Sequence, residues 1–321
     1  MFAPDSAGVV PEPGRADAPA TPGDLAGRLP RSVGATPLVP LLAIALPSGA
    51  RFQLWGKLEA ANPSGSVKDR AALAIVRAAL SDGRLGGGRT LVDASSGNTG
   101  LAYATLGARV GFPVLLFIPR NAHPSRLSAI RALQAEVVLT DPAEGTDGAR
   151  REAIARVTED PGRYFFADQY HNPANPAAHY ATTGPEIWRQ SRGAVTHLVA
   201  GVGTGGTISG TGRFLKERRP SLRVVAVEPT GPIHGLEGLK HLPTADVPST
   251  YDARVPDVTL RVETEEAQSM VTRLERTEGL HVGPSAGAAV VAALRTGAQA
   301  PGSFVVAILP DGGHAAAAEE R

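Results

Sequence analysis

From Pro37 onward, short runs of apolar residues alternate with longer segments in which apolar residues recur every three or four positions. The short runs are typical of buried strands, and the longer period is typical of amphipathic helices. Such an alternation predicts an α/β fold with open, mostly parallel sheets and helices on both faces. We expect strands at Phe52–Leu58, Thr90–Asp93, Val114–Ile118, Glu136–Leu139, His197–Ala200, Arg223–Val227 and Ser303–Leu309.

Helical patterns fill the intervals between these strands. In folds of this kind, ligands bind at the carboxyl ends of strands, where Gly-rich turns lead into helices. Three segments of the chain fit that description, and they are where we search for a site. We expect helices at Lys68–Leu80, Thr99–Leu106, Pro124–Ala132, Gly148–Thr158, Ala177–Trp188, Thr207–Glu217, Glu265–Glu278 and Ala286–Leu294.

The first segment is NPSGSVKDR, residues 62–70. Ser66 can cap a helix and Asp69 follows three residues later, which places Lys68 in the first helical turn. The positive end of the helix dipole favours the neutral amine, which is the form that attacks a carbonyl carbon to make a Schiff base. The segment alone fits an ordinary capped surface helix with a solvated lysine better than it fits a catalytic site.

The second segment is SSGNTG, residues 95–100, which follows the strand TLVDA. The hydroxyl groups of Ser95, Ser96 and Thr99, the amide of Asn98 and free backbone N–H groups converge at a helix start. Such a set can bind a small anion, for example a carboxylate. A plain turn followed by a helix cap is an equally good interpretation of this segment alone.

The third segment is GVGTGGT, residues 201–207, between a strand and a helix. Gly residues let the backbone approach a phosphate at the helix N-terminus. Gly201, Gly203 and Gly206 also fit the G-x-G-x-x-G pattern of dinucleotide-binding folds, and Glu228 ends the next strand. An NAD-dependent oxidoreductase is therefore an alternative that this segment leaves open.

Composition narrows the function classes. The chain has 321 residues, 42% of them hydrophobic and 20% charged, as in an ordinary globular protein of one or two domains. A net charge of +1 gives no electrostatic basis for binding nucleic acid or an anionic membrane. The absence of Cys excludes disulfides, thiolate metal sites and a cysteine nucleophile, and the 8 His show no metal-binding spacing.

The chain termini differ in composition from the rest. Residues 1–30 are rich in Pro, Ala and Gly, so we expect a largely disordered tail there. Neither a secretory signal nor an apolar run long enough for a membrane span is present. The lack of Cys is compatible with the cytoplasm, which is the location we expect.

Five segments in order resemble the cysteine synthase family. They are KLEAANPSGSVKDRAALAIV, SSGNTG, NPANPAAHYATTGPEIW, GVGTGGTISG and GPSAGAAV, and the match spans roughly residues 34–312. The segment KHLPTADVPSTYD, residues 240–252, favours the B isozyme of O-acetylserine sulfhydrylase. The resemblance implies the two-domain fold type II of pyridoxal phosphate (PLP) enzymes, which is that of the tryptophan synthase β-subunit. It implies a large phosphate-binding domain over 31–62 and 172–313, a small carboxylate-binding domain over 63–171 and a C-terminal tail over 314–321.

The resemblance also implies roles for individual residues. Lys68 matches the lysine that forms the Schiff base with PLP and serves as general base. Asn98 matches the asparagine bonded to the ring hydroxyl, and Ser285 matches the serine bonded to the pyridine nitrogen. An ordinary helix cap is the alternative for Ser285. The phosphate would be held by Gly203, Thr204, Gly205, Gly206 and Thr207, and the substrate carboxylate by Ser95, Ser96, Thr99 and Gln169, the last of which follows the strand-like RYFFA.

The implied reaction is a PLP-dependent β-replacement that forms L-cysteine. O-acetylserine or O-phosphoserine loses its ester group to give an α-aminoacrylate, and a sulfur donor adds to it. The expected enzyme is a homodimer with small-molecule substrates and no metal. Pro284 beside Ser285 and the sequence HAAAAEER after residue 313 depart from the family pattern. They motivate an alternative in which another nucleophile, such as an amine in a diaminopropionate-type synthase, replaces the sulfur donor.

Overall fold

The computed structural model describes residues 20–44, 49, 51–95 and 97–313. Residues 1–19 and the predicted C-terminal tail, residues 314–321, lie outside this part. All seven predicted strands occur, with ends shifted by one or two residues. The ten strands are β1 Leu38–Pro40, β2 Gln53–Leu58, β3 Thr90–Ala94, β4 Val114–Pro119, β5 Glu136–Thr140, β6 Tyr164–Phe166, β7 His197–Gly201, β8 Arg223–Pro229, β9 Val258–Val262 and β10 Phe304–Leu309.

Helices connect most of these strands. Two short 3-10 helices, Glu59–Ala61 and Pro142–Glu144, add to them. No helix in the described part is both long and apolar enough to cross a bilayer. The α-helices are α1 Pro22–Gly27, α2 Lys68–Ser81, α3 Asn98–Val110, α4 Pro124–Ala132, α5 Gly145–Glu159, α6 Ala174–Ala181, α7 Thr183–Gln190, α8 Gly206–Arg218, α9 Thr264–Glu278 and α10 Pro284–Ala298.

The strands form two sheets. One has six strands in the order β1-β2-β10-β7-β8-β9, and the other has four in the order β5-β4-β3-β6. Every pairing is parallel except that of β1 with β2. The prediction of open, mostly parallel sheets is therefore confirmed. Parallel order brings the carboxyl ends of β7 and β10 together in one sheet, and those of β3 and β6 together in the other.

Both faces of the six-stranded sheet are buried, which explains why its central strands are apolar throughout. Along β10, Val305, Ala307 and Leu309 pack with α9 and α10 on one side. Val306 and Ile308 point to the other side, where they pack with residues of α7 and α8. Successive residues of a strand face opposite ways, so one apolar run fills two cores.

The four-stranded sheet has its own core between helices. Leu91 of β3 and Leu116 of β4 pack with α2 and α3, while Leu115 and Phe117 of β4 pack with α5 on the opposite face. All four strands lie between residues 90 and 166, within the segment predicted as the small domain. The domain boundaries themselves, 31–62 with 172–313 and 63–171, stay a prediction.

Part of the segment predicted as a disordered tail is ordered. Residues 22–27 form α1, which begins with a capping box between Thr21 and Asp24. Leu25 of this helix is buried in the core of the four-stranded sheet, and Leu29 packs against the same core. The prediction of disorder is therefore wrong for residues 20–30, because two isolated leucines in a Pro- and Gly-rich stretch give no periodic signal.

The helix predicted at Ala177–Trp188 is in fact two helices. Helix α6 ends at Ala181, Thr182 leaves the helical conformation, and α7 begins at Thr183. Pro185 explains the break: it has no N–H for the Ala181 carbonyl, and its ring would collide with that carbonyl in a continuous helix.

Four buried charged side chains link β2, the first 3-10 helix, α2 and α7 to one another. Arg70 on α2 donates to Glu59 and to both carboxylate oxygens of Glu186 on α7, at 2.7–2.9 Å. Lys57 on β2 donates to Glu186 at 2.7 Å and to the Thr36 carbonyl at 2.6 Å. Burial alone would raise the pKa of Glu186, but Arg70 and Lys57 outweigh it and lower that pKa to about 2. We call Lys57, Glu59, Arg70 and Glu186 the buried charge cluster.

Replacing Glu186 by Gln leaves two buried cations facing one carboxylate. Because an uncompensated buried charge is costly, we expect Glu186→Gln to lower the free energy of unfolding by about 3–5 kcal/mol. Glu144→Gln is the matched control, since Glu144 pairs with Arg151 at the surface and such pairs contribute about 0–1 kcal/mol. Urea denaturation measures both. Equal, small losses for the two variants would contradict the assignment.

Candidate active site

A cavity of about 540 Å³ lies at the carboxyl ends of β7 and β10, beside the first turn of α2. A second cavity shares Lys68 and Asn98 with the first and extends to Thr99 of α3 and to Gln169, which follows β6 of the four-stranded sheet. Most of the predicted residues that the structure describes thus line these two adjoining cavities, while Ser95 and Gly206 are outside both linings. The first cavity is lined by Lys68, Asn98, Gly203, Thr204, Gly205, Thr207, Ser285 and Asp311, among others.

Lys68 is the first residue of α2, as predicted. Burial lowers the pKa of its amine most strongly. The Asp311 carboxylate opposes that effect, Arg126 adds to it, and Glu237 opposes it. The Lys68 amine therefore loses its proton at a lower pH than the amine of an ordinary lysine does. The interpretation of Lys68 as a solvated surface residue is wrong, since its side chain lines both cavities.

The predicted capping of this helix by Ser66 and Asp69 is wrong in its details. The N-cap residue is Val67, which makes no side-chain cap. Ser66 Oγ accepts the Lys68 N–H at 3.3 Å, while Asp69 accepts from the backbone and hydroxyl of Ser64. The loop before Lys68 is thus closed by Ser64 and Asp69, which leaves the helix start facing the cavity.

In the SSGNTG segment, Asn98 and Thr99 line the cavities, whereas Ser95 stabilises the turn of the segment itself. Asn98 donates from Nδ2 to Asp311 Oδ2 at 2.7 Å. Thr99 Oγ1 donates to Gln169 Oε1 at 2.7 Å, and Gln169 Nε2 donates to the Ala94 carbonyl at 2.8 Å. Two of the predicted carboxylate ligands, Thr99 and Gln169, therefore hold each other in place.

Ser95, another predicted carboxylate ligand, has a structural role in the turn. Ser95 Oγ accepts N–H groups from Gly97 and Gly100 at 3.0 and 2.9 Å, so it shapes the turn before α3. Both lone pairs of its oxygen are then used, and the hydroxyl proton remains to be donated. Ser96 lies outside the described residues. Their contact with a substrate carboxylate stays a prediction.

The turn between β7 and α8 has the shape that an anion requires. Gly205 adopts φ 79°, and a Cβ on it would collide with Tyr251. Thr204 Oγ1 accepts from Asn175 Nδ2 at 3.0 Å and from Gly206 N at 3.4 Å, which leaves its proton as a donor. The first N–H groups of α8 have no partner within the helix. The turn thus presents donors at the positive end of a helix dipole.

Ser285 lines the cavity and does not cap its helix. The N-cap of α10 is Gly283, Pro284 follows at the first turn, and no side chain caps this end. The cap interpretation of Ser285 is therefore wrong. Ser285 is buried and lines the same cavity as Lys68 and Asn98, and its bond to a pyridine nitrogen stays a prediction.

Two acidic residues, one lining the cavity and one behind Gln169, were not found from the sequence. Asp311 follows β10, and Asp93 lies in β3 just before the SSGNTG segment. Both stand at the carboxyl end of a parallel strand, which is the signal that could have identified them. Asp93 is fully buried, and its oxygens accept N–H groups from Ala94 and Gln169 at 2.8 and 3.3 Å.

The pKa of Asp93 is raised to about 7, because burial outweighs the N–H bond from Ala94, which lowers the pKa, and the carboxylate of Asp168 acts in the same direction as burial. The folded protein therefore binds a proton at this carboxyl between about pH 4 and 7, where the unfolded chain has released it. Folding stability contributed by this group falls as pH rises through that window.

Asp93→Asn removes this titration. We expect the unfolding free energy of the variant, relative to that of the parent protein, to rise by about 2–3 kcal/mol between pH 5 and 8. Asp82→Asn is the control: Arg84 lowers the pKa of the exposed Asp82, so this carboxyl is ionised in both the folded and the unfolded state between pH 5 and 8, and the stability difference for its variant should stay constant. Urea unfolding at both pH values measures the difference. A constant difference for Asp93→Asn would exclude the proposed titration.

The site fits pyridoxal phosphate. The turn before α8 offers donors for a phosphate, and Lys68, which lines the same cavity, has a lowered pKa. One polar atom in the cavity points to a bound group or water: Asp311 Oδ1 is buried and has no hydrogen-bond partner among the described residues. Lys68, Asn98, the residues 203–207 and Ser285 would hold the cofactor.

Comparison with known proteins agrees with this fit. The model of a family described as "Pyridoxal-phosphate dependent enzyme" matches residues 29–311. A cysteine synthase of Aquifex aeolicus is 44% identical over 88% of each chain. Cysteine synthase B of Salmonella typhimurium is 40% identical over 89% of this chain and 92% of its own.

A solved structure shows the same fold. O-ureido-L-serine synthase superposes with a TM-score of 0.80 and 35% identity, and the match covers 88% of this chain and 90% of that chain. The family match over residues 29–311 includes both sheets and every residue that lines the two cavities.

Proposed function

Because the chain belongs to the family of pyridoxal-phosphate dependent enzymes, we propose that it forms L-cysteine by β-replacement. The substrates are O-acetylserine or O-phosphoserine and a sulfur donor. The observation that carries the proposal is the position of Lys68. Its amine, with a lowered pKa, lies in a cavity whose walls also hold Asn98, Ser285 and an anion-binding turn.

Pyridoxal phosphate, when bound, supplies an electron sink for the bond pair left at the substrate Cα. Gly203, Thr204, Gly205, Gly206 and Thr207 bind its phosphate through backbone N–H groups and hydroxyls. Asn98 donates to its ring hydroxyl, and Ser285 faces its ring nitrogen. Together these residues fix the ring against Lys68, which anchors it covalently.

Lys68 moves the protons of the reaction. As a free amine in the cavity, Lys68 in its neutral form would take the proton from the substrate Cα. Its lowered pKa keeps it neutral at a pH where an ordinary lysine is charged. It later returns a proton to Cα, so the residue that anchors the cofactor also completes the reaction.

Thr99 and Gln169 bind the substrate carboxylate, with Ser95 and Ser96 on the adjoining loop. The Thr99 hydroxyl donates to Gln169 in this structure, so that bond gives way when Thr99 donates to a carboxylate. Gln169 Nε2 keeps its bond to Ala94 and has a second N–H for the substrate. Binding thus rearranges a preformed pair.

At the substrate Cβ, the bond to the ester oxygen breaks and acetate or phosphate leaves with the electron pair. A bond from sulfur to Cβ then forms, and L-cysteine results. Closure of the loop around the carboxylate excludes water from this reactive stage.

Two alternatives carry different expectations. The NAD-dependent oxidoreductase requires Glu228 near the ligand, but this residue is buried within β8 and is not part of the cavity lining. A synthase using another nucleophile is closer to the proposal, and similarity to O-ureido-L-serine synthase makes it worth testing.

We also propose, from the family resemblance, that the enzyme is a cytoplasmic homodimer. Light scattering on the purified enzyme tests the dimer, and a monomer at micromolar concentration would contradict it. The two lobes, 63–171 and 31–62 with 172–313, are proposed to move relative to each other when the carboxylate binds.

Lys68→Ala tests the function directly. We expect turnover of O-acetylserine with sulfide to fall at least about 1,000-fold, because anchoring and proton transfer are both lost. Product analysis by mass spectrometry measures L-cysteine. Lys216→Ala is the control: Lys216 pairs with Asp257 far from the cavity lining, and its variant should keep the parent rate.

A matrix of substrates separates the proposal from its alternatives. Each serine ester is combined in turn with sulfide, thiosulfate and an amine, and the initial rates are compared. The proposal expects sulfur donors to be preferred. A faster reaction with the amine would favour the other β-replacement, and no product with any pair would refute both.

A further inference from the structure

Asp311 is a carboxylate in the cofactor cavity to which no role has been assigned above. It lies two residues after β10, and its backbone is tied to the loop that precedes Lys68. Val67 donates its N–H to the Pro310 carbonyl at 2.8 Å, and Ser66 forms an antiparallel bridge with Asp311. The carboxylate therefore has a fixed position relative to Lys68.

The two oxygens of Asp311 have different surroundings. Oδ2 accepts the Nδ2–H of Asn98 at 2.7 Å. Oδ1 is buried without a hydrogen-bond partner among the described residues, and it lies against Gly283, where a Cβ would collide with it. Gly283 thus admits the carboxylate to the start of α10, whose positive dipole end favours a negative charge.

The contact with Asn98 determines which way its amide faces. A carboxylate only accepts hydrogen bonds, so the NH₂ end of Asn98 must turn toward Asp311. The reversed amide would set its oxygen against Asp311 and would leave no donor on this side. With one N–H on Asp311, the second N–H of the same nitrogen remains for a ligand oxygen in the cavity.

The charge of Asp311 also acts on Lys68. Four charged or titratable groups face the Lys68 amine: Asp311, Arg126, Glu237 and His179. Among these, Asp311 makes the largest contribution, and it raises the pKa of Lys68 against the dominant effect of burial. It is also the only one of the four that is shown bonded to Asn98.

We propose that Asp311 is a positioning residue for the cofactor. It orients the Asn98 amide so that an N–H faces the ring hydroxyl oxygen, and it places a compensating negative charge beside Lys68. This inference rests on the roles proposed above for Lys68 and Asn98. Asp311 itself forms no bond to the cofactor and transfers no proton.

A double-mutant cycle tests the first part. Affinity for pyridoxal phosphate is measured by equilibrium dialysis with the apo forms of the parent protein, Asn98→Ala, Asp311→Ala and the double variant. We expect each single variant to bind about tenfold more weakly, and the double variant to bind no more weakly than Asn98→Ala. Additive losses, or unchanged affinity in Asp311→Ala, would overturn the proposal.

The pH dependence of cofactor loading tests the second part. The rate at which apoenzyme gains the visible absorbance of lysine-bound cofactor depends on the neutral Lys68 amine. Asp311→Asn keeps an oxygen for Asn98 but removes the charge. We therefore expect the midpoint of its loading profile to move to lower pH by about half a unit, with affinity close to that of the parent.

Asn98→Ala is the control for this profile, because it keeps the charge of Asp311 and should leave the midpoint unchanged. Equal midpoints in the parent and Asp311→Asn would overturn the electrostatic part. Asp311→Asn also keeps the test usable if Asp311→Ala does not fold. Failure of the parent protein to gain lysine-bound cofactor would refute the proposed function, whereas normal loading in all variants would refute only the role of Asp311.

Discussion

The buried charge cluster is the constraint on which the position of the site depends. Arg70 lies two residues after Lys68 on the same helix, and its guanidinium is held by Glu59 and Glu186 with bonds of 2.7–2.9 Å. Two cations and two anions balance, and nearly every donor is satisfied. Such a cluster adds little net stability over an apolar one, but any single loss leaves a buried charge unpaired. Its effect is to fix the first turn of α2, and with it Lys68, against the six-stranded sheet.

The parallel order of the strands places the other groups of the site near Lys68. The anion-binding turn follows β7, Asp311 follows β10, the SSGNTG segment follows β3, and Gln169 follows β6. Each group stands at the carboxyl end of a strand, so two sheets converge on one cavity without a long excursion of the backbone. Lys68, Thr99 and Gln169 line one cavity, so a carboxylate bound as we propose, at Thr99 and Gln169, would couple the four-stranded sheet to the proposed chemistry at Lys68.

The sequence was sufficient for the parts of the structure that depend on local pattern. Strands buried on both faces, such as β4 and β10, carry unbroken apolar runs, and Lys68 was placed in the first helical turn. Short or exposed strands, β1 and β9, carry no such signal and were missed. The break before α7 is caused by Pro185, whose ring would collide with the carbonyl four residues earlier. The spacing of apolar residues does not reveal this effect.

Contacts between distant parts of the chain were beyond sequence reasoning. Asp311 meets Asn98 across 213 positions, and Arg70 meets Glu186 across 116. The capping interpretations of Ser66 and Ser285 fail because α2 and α10 begin at Lys68 and Pro284, with Val67 and Gly283 as their N-cap residues. Recognition of the family motifs supplied the cofactor, while the structure supplied the residues that hold the motifs in place.

Reduction of the purified enzyme with borohydride, followed by peptide mapping, tests the central claim most directly. The chain has only four lysines, Lys57, Lys68, Lys216 and Lys240, so the modified position can be assigned without ambiguity. Lys57 belongs to the buried charge cluster, Lys216 pairs with Asp257, and Lys240 pairs with Asp147. The account predicts one pyridoxyl group, on Lys68. A label on any other lysine, or none on an enzyme saturated with pyridoxal phosphate, would contradict it.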